Sequence, residues 1–187
     1  MTDTRTLYLS DMRPEFEPHT LQAPEVKAFS YTGDRAYEIR SRHLDGAAAI
    51  ALLDDMLAIR EVEEMIVRLR SGGYEPLQGF AYRGPTHVSI GQEGTAVGAS
   101  SVLGISDRIS SSHRGHGDAV AKGFSAIRQM NAEQLKERAP WSKATDHEGL
   151  LADALQEHIY KIIAELFGKD EGYCAGRGGG MHIGDFS

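Results

Sequence analysis

The sequence holds a single cysteine, Cys174, so no internal disulfide can brace it, and the reading is of a protein of the reducing cytoplasm. Long apolar runs are missing too. The most apolar stretch, Ala47 to Leu53, is far too short to span a bilayer, and Met1-Thr2-Asp3-Thr4-Arg5 lacks the apolar core of a secretory signal. Basic residues are scarce: 20 Lys plus Arg stand against 27 Asp plus Glu, a net charge of -7. An acidic chain without a basic run is a poor match for nucleic acid or an anionic membrane surface, and neither is expected as a partner. Aromatic residues make up 7% of the chain, and Trp141 and its fellows form no stacking platform for bases. Glycine is what the chain has in excess, 21 of 187 residues, against a usual share of about 7%. The length is enough for one buried core.

Pro14, Pro18 and Pro24 break any long helix in residues 1–46, which read as an arm wrapping a partner or the chain's own domain. Leu52, Met56, Ile59, Val62, Ile66 and Leu69 then recur at steps of three and four, predicting a helix that stops at Gly72-Gly73. Residues 74–88 read as a loop with short strands. Ser89 and Gln92 form an S-x-x-Q pattern, predicting a capping box for a small-residue helix from Ile90 to Leu103. Asp107 to Ser112 read as a turn into a short buried strand, and Gly115 to Gly117 lead into a helix through Phe124. A helix is expected around Ala132 to Arg138. Thr145 and Glu148 predict a second capping box, opening a helix whose stripe is Leu151, Leu155, Ile159, Ile162 and Leu166, closed by Gly168. Helices alternating with short strands predict an α/β fold.

The glycine-rich stretch from Gly172 to Gly184 fails both common phosphate fingerprints. Met181 stands where G-x-G-x-x-G needs its last glycine, and Ile163 stands where a Walker A loop before Gly168-Lys169 needs its first. A mobile or closely packed loop is the plainer reading. His113-Arg114-Gly115-His116 is the densest polar cluster, placed where a helix begins. Its guanidinium and backbone N–H groups suit a phosphate or diphosphate, or else make a solvated surface turn. H-x-G-H is also the signature of nucleotidyl transferases. His113 and His116 with Asp118 or His87 are weighed as metal ligands, but no Cys or carboxylate cluster completes a set, and no metal residue is assigned. His87 precedes the helix after Ser89, His182 follows the glycine loop, and Cys174 reads as an inert small residue.

Taken in order, Met56 to Glu64, Thr86-His87-Val88-Ser89-Ile90-Gly91-Gln92-Glu93-Gly94, His113-Arg114-Gly115-His116-Gly117, Ala164 to Lys169 and Gly172 to Asp185 resemble one family. The series is similar to the alpha subunit of thiamine-diphosphate-dependent 2-oxo acid dehydrogenases, with the pyruvate and acetoin branches nearest through the final glycine loop. The likeness runs from about Leu52 to Asp185.

That resemblance implies a thiamine-diphosphate-binding α/β fold, first part only, with a parallel sheet and flanking helices. Residues 47–187 would be the N-terminal part of the domain, with 129–157 inserted. It implies oxidative decarboxylation of a pyruvate-like 2-oxo acid, or acetoin cleavage, with transfer to a lipoyl group. A beta-type subunit and a lipoyl-bearing acyltransferase would be the partners, in a heterotetramer. By position, His87 would lie beside the thiazolium and substrate as an orienting or proton-transfer group. Arg114 would bind the diphosphate, with His113 standing where the family has Tyr and His116 supporting the loop. His182 would line the approach to the partner, and Asp185 would stand near the cofactor through its backbone. The family's magnesium site is Gly-Asp-Gly followed by a later Asn. No Gly-Asp-Gly occurs here, so the magnesium ligands are expected outside this chain, and the isolated chain is expected to be inactive. A non-catalytic remnant or assembly module of the same fold is the alternative, and a nucleotidyl transferase on His113 to His116 the third.

Overall fold

The longest apolar period becomes the longest helix. The computed structural model describes residues 28, 30–72, 78, 79, 82 and 87–185. Within them lie α1 (Arg35–Arg40), α2 (Gly46–Arg70), α3 (Glu93–Ser100), α4 (His116–Ile127), α5 (Ala132–Arg138) and α6 (His147–Leu166). Most of the expected arm lies outside the described residues, but α1 falls inside it. Asp34 caps α1 by accepting from the Tyr37 N–H at 2.7 Å.

Asp45 caps α2 in the same way, accepting from the Ala48 N–H at 2.6 Å. Arg68 and Arg70 sit in its last turn, where cations complement the carbonyl end of the helix dipole. The inner face of α2 carries Ile59, Val62, Ile66 and Leu69, all buried. Against it pack α3 through Ala96 and Val97, and α4 through Val120, Ala121 and Phe124. Ile162 and Leu166 of α6 close the same core. Burying each of these isoleucines is worth roughly 1.5–3 kcal/mol. A second, smaller core joins the end of α4 to α5 and the start of α6, through Ile127, Leu135, Ala139, Leu150 and Ala154. The segment read as an insertion, 129–157, contributes α5 and the first half of α6 to that core.

The parallel sheet is not there: among the described residues no strand occurs. The expected strand at 107–112 is exposed, with Ile109 at 43% of its free surface. A strand must pair its N–H and C=O groups with a neighbour, and among the described residues no backbone hydrogen bond joins 108–112 to another segment. The short strands expected within 74–88 fall largely outside the described residues.

Helix ends also differ from the sequence patterns. Gln92 occupies the cap position of α3 with no side-chain hydrogen bond, because Ser89 spends its groups on tertiary partners. Asp146, not Thr145, caps α6, accepting from the Gly149 N–H at 2.8 Å. An Asn131–Gln134 capping box opens α5, and Pro140 just beyond its end keeps the chain from continuing as helix. At the end of α6 the expected Gly168 stop is present, with φ +67. There the Lys169 N–H donates to the Ala164 carbonyl at 2.9 Å and the Gly168 N–H to the Glu165 carbonyl at 3.1 Å, a Schellman turn. No helix among the described residues is long and apolar enough to cross a membrane.

Two helical glycines test this packing in opposite directions. A methyl at Gly123 of α4 would fall inside the His158 imidazole, whereas one at Gly98 of α3 meets nothing within 4 Å. Gly123→Ala is expected to cost about 1–3 kcal/mol through overpacking, and Gly98→Ala to gain up to about 1 kcal/mol of helix propensity. Urea unfolding midpoints check both. Equal effects of the two substitutions would contradict the α4–α6 contact.

Candidate functional site

Glu63 lies on the apolar face of α2, 1% exposed, and both of its oxygens are used. One accepts the Ser89 N–H at 2.7 Å, and the other pairs with Nδ1 of His116, the first residue of α4. Nε2 of His116 faces the His87 carbonyl at 3.1 Å. Both ring nitrogens therefore meet oxygen atoms of the chain, and neither faces solvent. The Ser89 hydroxyl donates to the Arg114 carbonyl at 2.8 Å, and a methyl at Gly117 would stand 3.2 Å from the Ser89 Cβ. Three separate segments are thus tied together at the start of α4.

Around this joint the structure gathers four of the residues singled out from the sequence. The exposed His87 ring meets the exposed His113 ring edge to face, centroids 4.9 Å apart. Arg114 is half-buried, and its Nη1 reaches the Val88 carbonyl only at 3.4 Å, leaving most of the guanidinium for another acceptor. Gly115 occupies the cap of α4 and brings no side chain to it, so the N–H groups of the first turn lack a capping oxygen.

Two carboxylates lie nearby. Arg60 donates to Glu93 at 2.7 Å and holds its carboxyl down to about 2, while Asp118 accepts from the Ser111 hydroxyl. The crevice between Ser89, Glu93, Arg114, Gly117 and Asp118 encloses about 10 Å³, room for one water. A larger anion would rest outside it, against Arg114 and the helix N-terminus. The donor set suits a phosphate group. It does not suit a metal: among the described residues no three His, Cys or carboxylate groups converge, and both His116 nitrogens are occupied. The buried His116 ring likewise has no nitrogen left for a triphosphate, which removes the nucleotidyl transferase reading.

His182 and Asp185 belong to a second group, around the glycine loop. Of its two readings, the structure takes the closely packed one. Glu165, fully buried in the last turn of α6, accepts from the backbone N–H groups of Cys174 (2.7 Å), Gly176 (3.0 Å), Gly178 (2.6 Å) and Gly179 (3.0 Å). Burial alone would push its carboxyl up, but these donors hold it below its ordinary value. His182 is exposed, its N–H donating to the Gly178 carbonyl at 3.2 Å. Asp185 uses its carboxylate on Arg138 of α5, whose Nη2 also donates to the Tyr173 hydroxyl at 3.0 Å. The Tyr173 hydroxyl in turn donates to Nδ1 of His158 at 2.5 Å, and Nε2–H of His158 donates to the Ala119 carbonyl of α4 at 3.0 Å.

Glu63, Glu165, Arg138 and His158 were not among the residues singled out from the sequence. A signal for the first two exists in retrospect: each is a carboxylate standing within the apolar period of its helix, Glu63 among Ile59, Val62 and Ile66, Glu165 between Ile162 and Leu166.

Two measurements follow. In Glu63→Gln one carboxylate oxygen becomes an NH₂ facing either the Ser89 N–H or the His116 Nδ1–H. A loss of about 1–3 kcal/mol in unfolding free energy is expected, as for a buried polar group left without its partner, and an unchanged unfolding free energy would contradict the pair. His158 is driven down from 6.5 to about 4, chiefly by burial, with Arg138 and Lys161 adding to the shift and the Ala119 carbonyl and Asp185 opposing it. The unfolded chain then binds more protons between about 4 and 6.5, so stability falls as pH drops through that window. The stability margin of the native chain over His158→Gln is expected to shrink from pH 7 to pH 4.5. A constant margin would contradict a neutral buried ring.

No protein-family model matches the chain, and no solved structure matches it. Named relatives do. The alpha subunit of acetoin:2,6-dichlorophenolindophenol oxidoreductase from Bacillus subtilis is 33% identical over 137 residues, 73% of this chain and 29% of the relative. Its counterpart from Cupriavidus necator is 30% identical over 145 residues, 77% of this chain and 31% of the relative. The pyruvate dehydrogenase E1 component subunit alpha of Porphyra purpurea is 28% identical over 134 residues, 72% of this chain and 27% of the relative. The chain thus spans less than a third of the length of each.

Proposed function

We propose that this chain, a relative of acetoin and pyruvate dehydrogenase alpha subunits that matches part of their length, forms the alpha-type N-terminal portion of a thiamine-diphosphate-dependent dehydrogenase component. The substrate class is a pyruvate-like 2-oxo acid, with acetoin as the alternative. One observation carries the reading: the ordered motif residues His87, His113, Arg114 and His116 converge at the uncapped N-terminus of α4, beside a guanidinium with spare donors.

Within that reading, Arg114 and the first N–H groups of α4 bind the diphosphate end of the cofactor. Thiamine diphosphate, when bound, supplies the electron sink for decarboxylation. His87 presents its ring beside His113, where an imidazole nitrogen orients substrate or takes up and returns a proton. His116 does not reach substrate. It holds the His87 backbone from beneath, and Glu63 fixes the His116 ring. Magnesium ligands come from outside this chain; among the described residues no set of three His, Cys or carboxylate groups is found. A beta-type subunit and a lipoyl-bearing acyltransferase complete the assembly, in the cytoplasm.

In the complex with a beta-type partner, Arg114→Ala is expected to weaken thiamine diphosphate binding about 10- to 100-fold, the worth of a charged hydrogen bond. His87→Ala is expected to lower kcat while leaving cofactor affinity unchanged. Calorimetry and steady-state kinetics check the pair. If both substitutions leave affinity and turnover intact, the site reading fails and an assembly module becomes the better account.

A further inference from the structure

Four backbone N–H groups from one short loop converging on a single carboxylate is the geometry of an anion-binding nest, of the kind that elsewhere takes a phosphate. Here the anion is part of the chain. Glu165 reaches the nest from the last turn of α6, its Oε2 taking Cys174 and Gly176 and its Oε1 taking Gly178 and Gly179. The loop's glycines are fitted to this occupant. Gly176, at φ +69, packs against the backbone of Gly168, where any Cβ would collide. A Cβ at Gly178 would strike the His182 carbonyl and stand 3.2 Å from Glu165 Oε1. On the far side of the same turn, Arg177, Met181 and His182 are exposed.

We propose that Glu165 is the positioning residue of the glycine loop: its carboxylate is the resident anion of the N–H nest, it fixes the turn that presents Met181 and His182, and it closes the loop to phosphate. What His182 then meets rests on the proposed function, in which it faces the partner. The nest and its occupant do not depend on that reading. With its N–H donors already taken by Glu165, the glycine-rich segment has none of these four left for an outside anion.

The test is amide hydrogen exchange on the full chain carrying Glu165→Ala. The Cys174, Gly176, Gly178 and Gly179 amides are expected to exchange at least about tenfold faster, since each loses a hydrogen bond to a charged group. Amides inside α2 are expected to keep their rates. Sodium formate, which can enter the vacated nest, is expected to restore protection where sodium chloride at the same ionic strength does not. Unchanged loop exchange, or a loss that formate repairs no better than chloride, overturns the proposal. If Glu165→Ala abolishes the fold, Glu165→Gln decides. Its side-chain amide puts N–H at one of the two oxygen positions, so one pair of loop amides is expected to lose protection while the other keeps it, and four unchanged rates overturn the proposal. Because exchange is read on the chain without cofactor, its outcome is independent of whether Arg114→Ala changes thiamine diphosphate affinity.

Discussion

The pairing of Glu63 with His116 is the joint on which the arrangement of the site turns. A carboxylate on the inner face of a helix is costly unless its lone pairs are met and its charge balanced. Here a ring nitrogen and a backbone N–H meet both oxygens, and the other ring nitrogen holds the His87 carbonyl. The carboxylate therefore fixes, at once, the start of α4, the backbone beneath His87 and the approach of Ser89 to Arg114. Remove it and the four residues at the N-terminus of α4 lose their common reference, although none of them need unfold.

Glu165 solves the same problem at the other end of α4's partner, α6, with backbone instead of an imidazole. The two solutions differ in what they leave exposed. At Glu63 the donors are consumed in the core, and the helix N-terminus beside it stays open for an outside anion. At Glu165 the anion is supplied from within, and the loop's side chains face out. A glycine-rich loop and a helix N-terminus are both generic anion sites, and the buried carboxylates decide which of the two remains available. His158, between Tyr173 and the Ala119 carbonyl, links the loop to the first turn of α4.

Much of the helical frame was legible in the sequence. The periods of α2 and α6, and the Gly168 stop, depend on local spacing alone. No sheet forms at Asp107 to Ser112, which has one apolar residue and no partner strand among the described residues, so its turn-like composition outweighs the expected short buried strand. The Ser89–Gln92 pattern makes no cap because Ser89's hydrogen-bonding groups go to residues 25 and 26 positions away, which outweighs a local cap. Arg114 and His87 stood out through their motifs. Glu63 did not, since beside Glu61 and Glu64 it reads as one more solvated charge, and its partner lies 53 residues along the chain. The identity of the loop's anion was equally hidden: nothing in Gly172 to Gly184 names the carboxylate that fills it.

The central claim is that anions meet this chain at Arg114 and the start of α4, and not at the glycine loop. Titration of the isotope-labelled chain with inorganic pyrophosphate, followed by amide and Arg side-chain NMR, tests it directly. The account predicts shifts at Arg114 and at the Gly115 to Asp118 amides, with the Cys174 to Gly179 amides unmoved. Shifts confined to the glycine loop would contradict it.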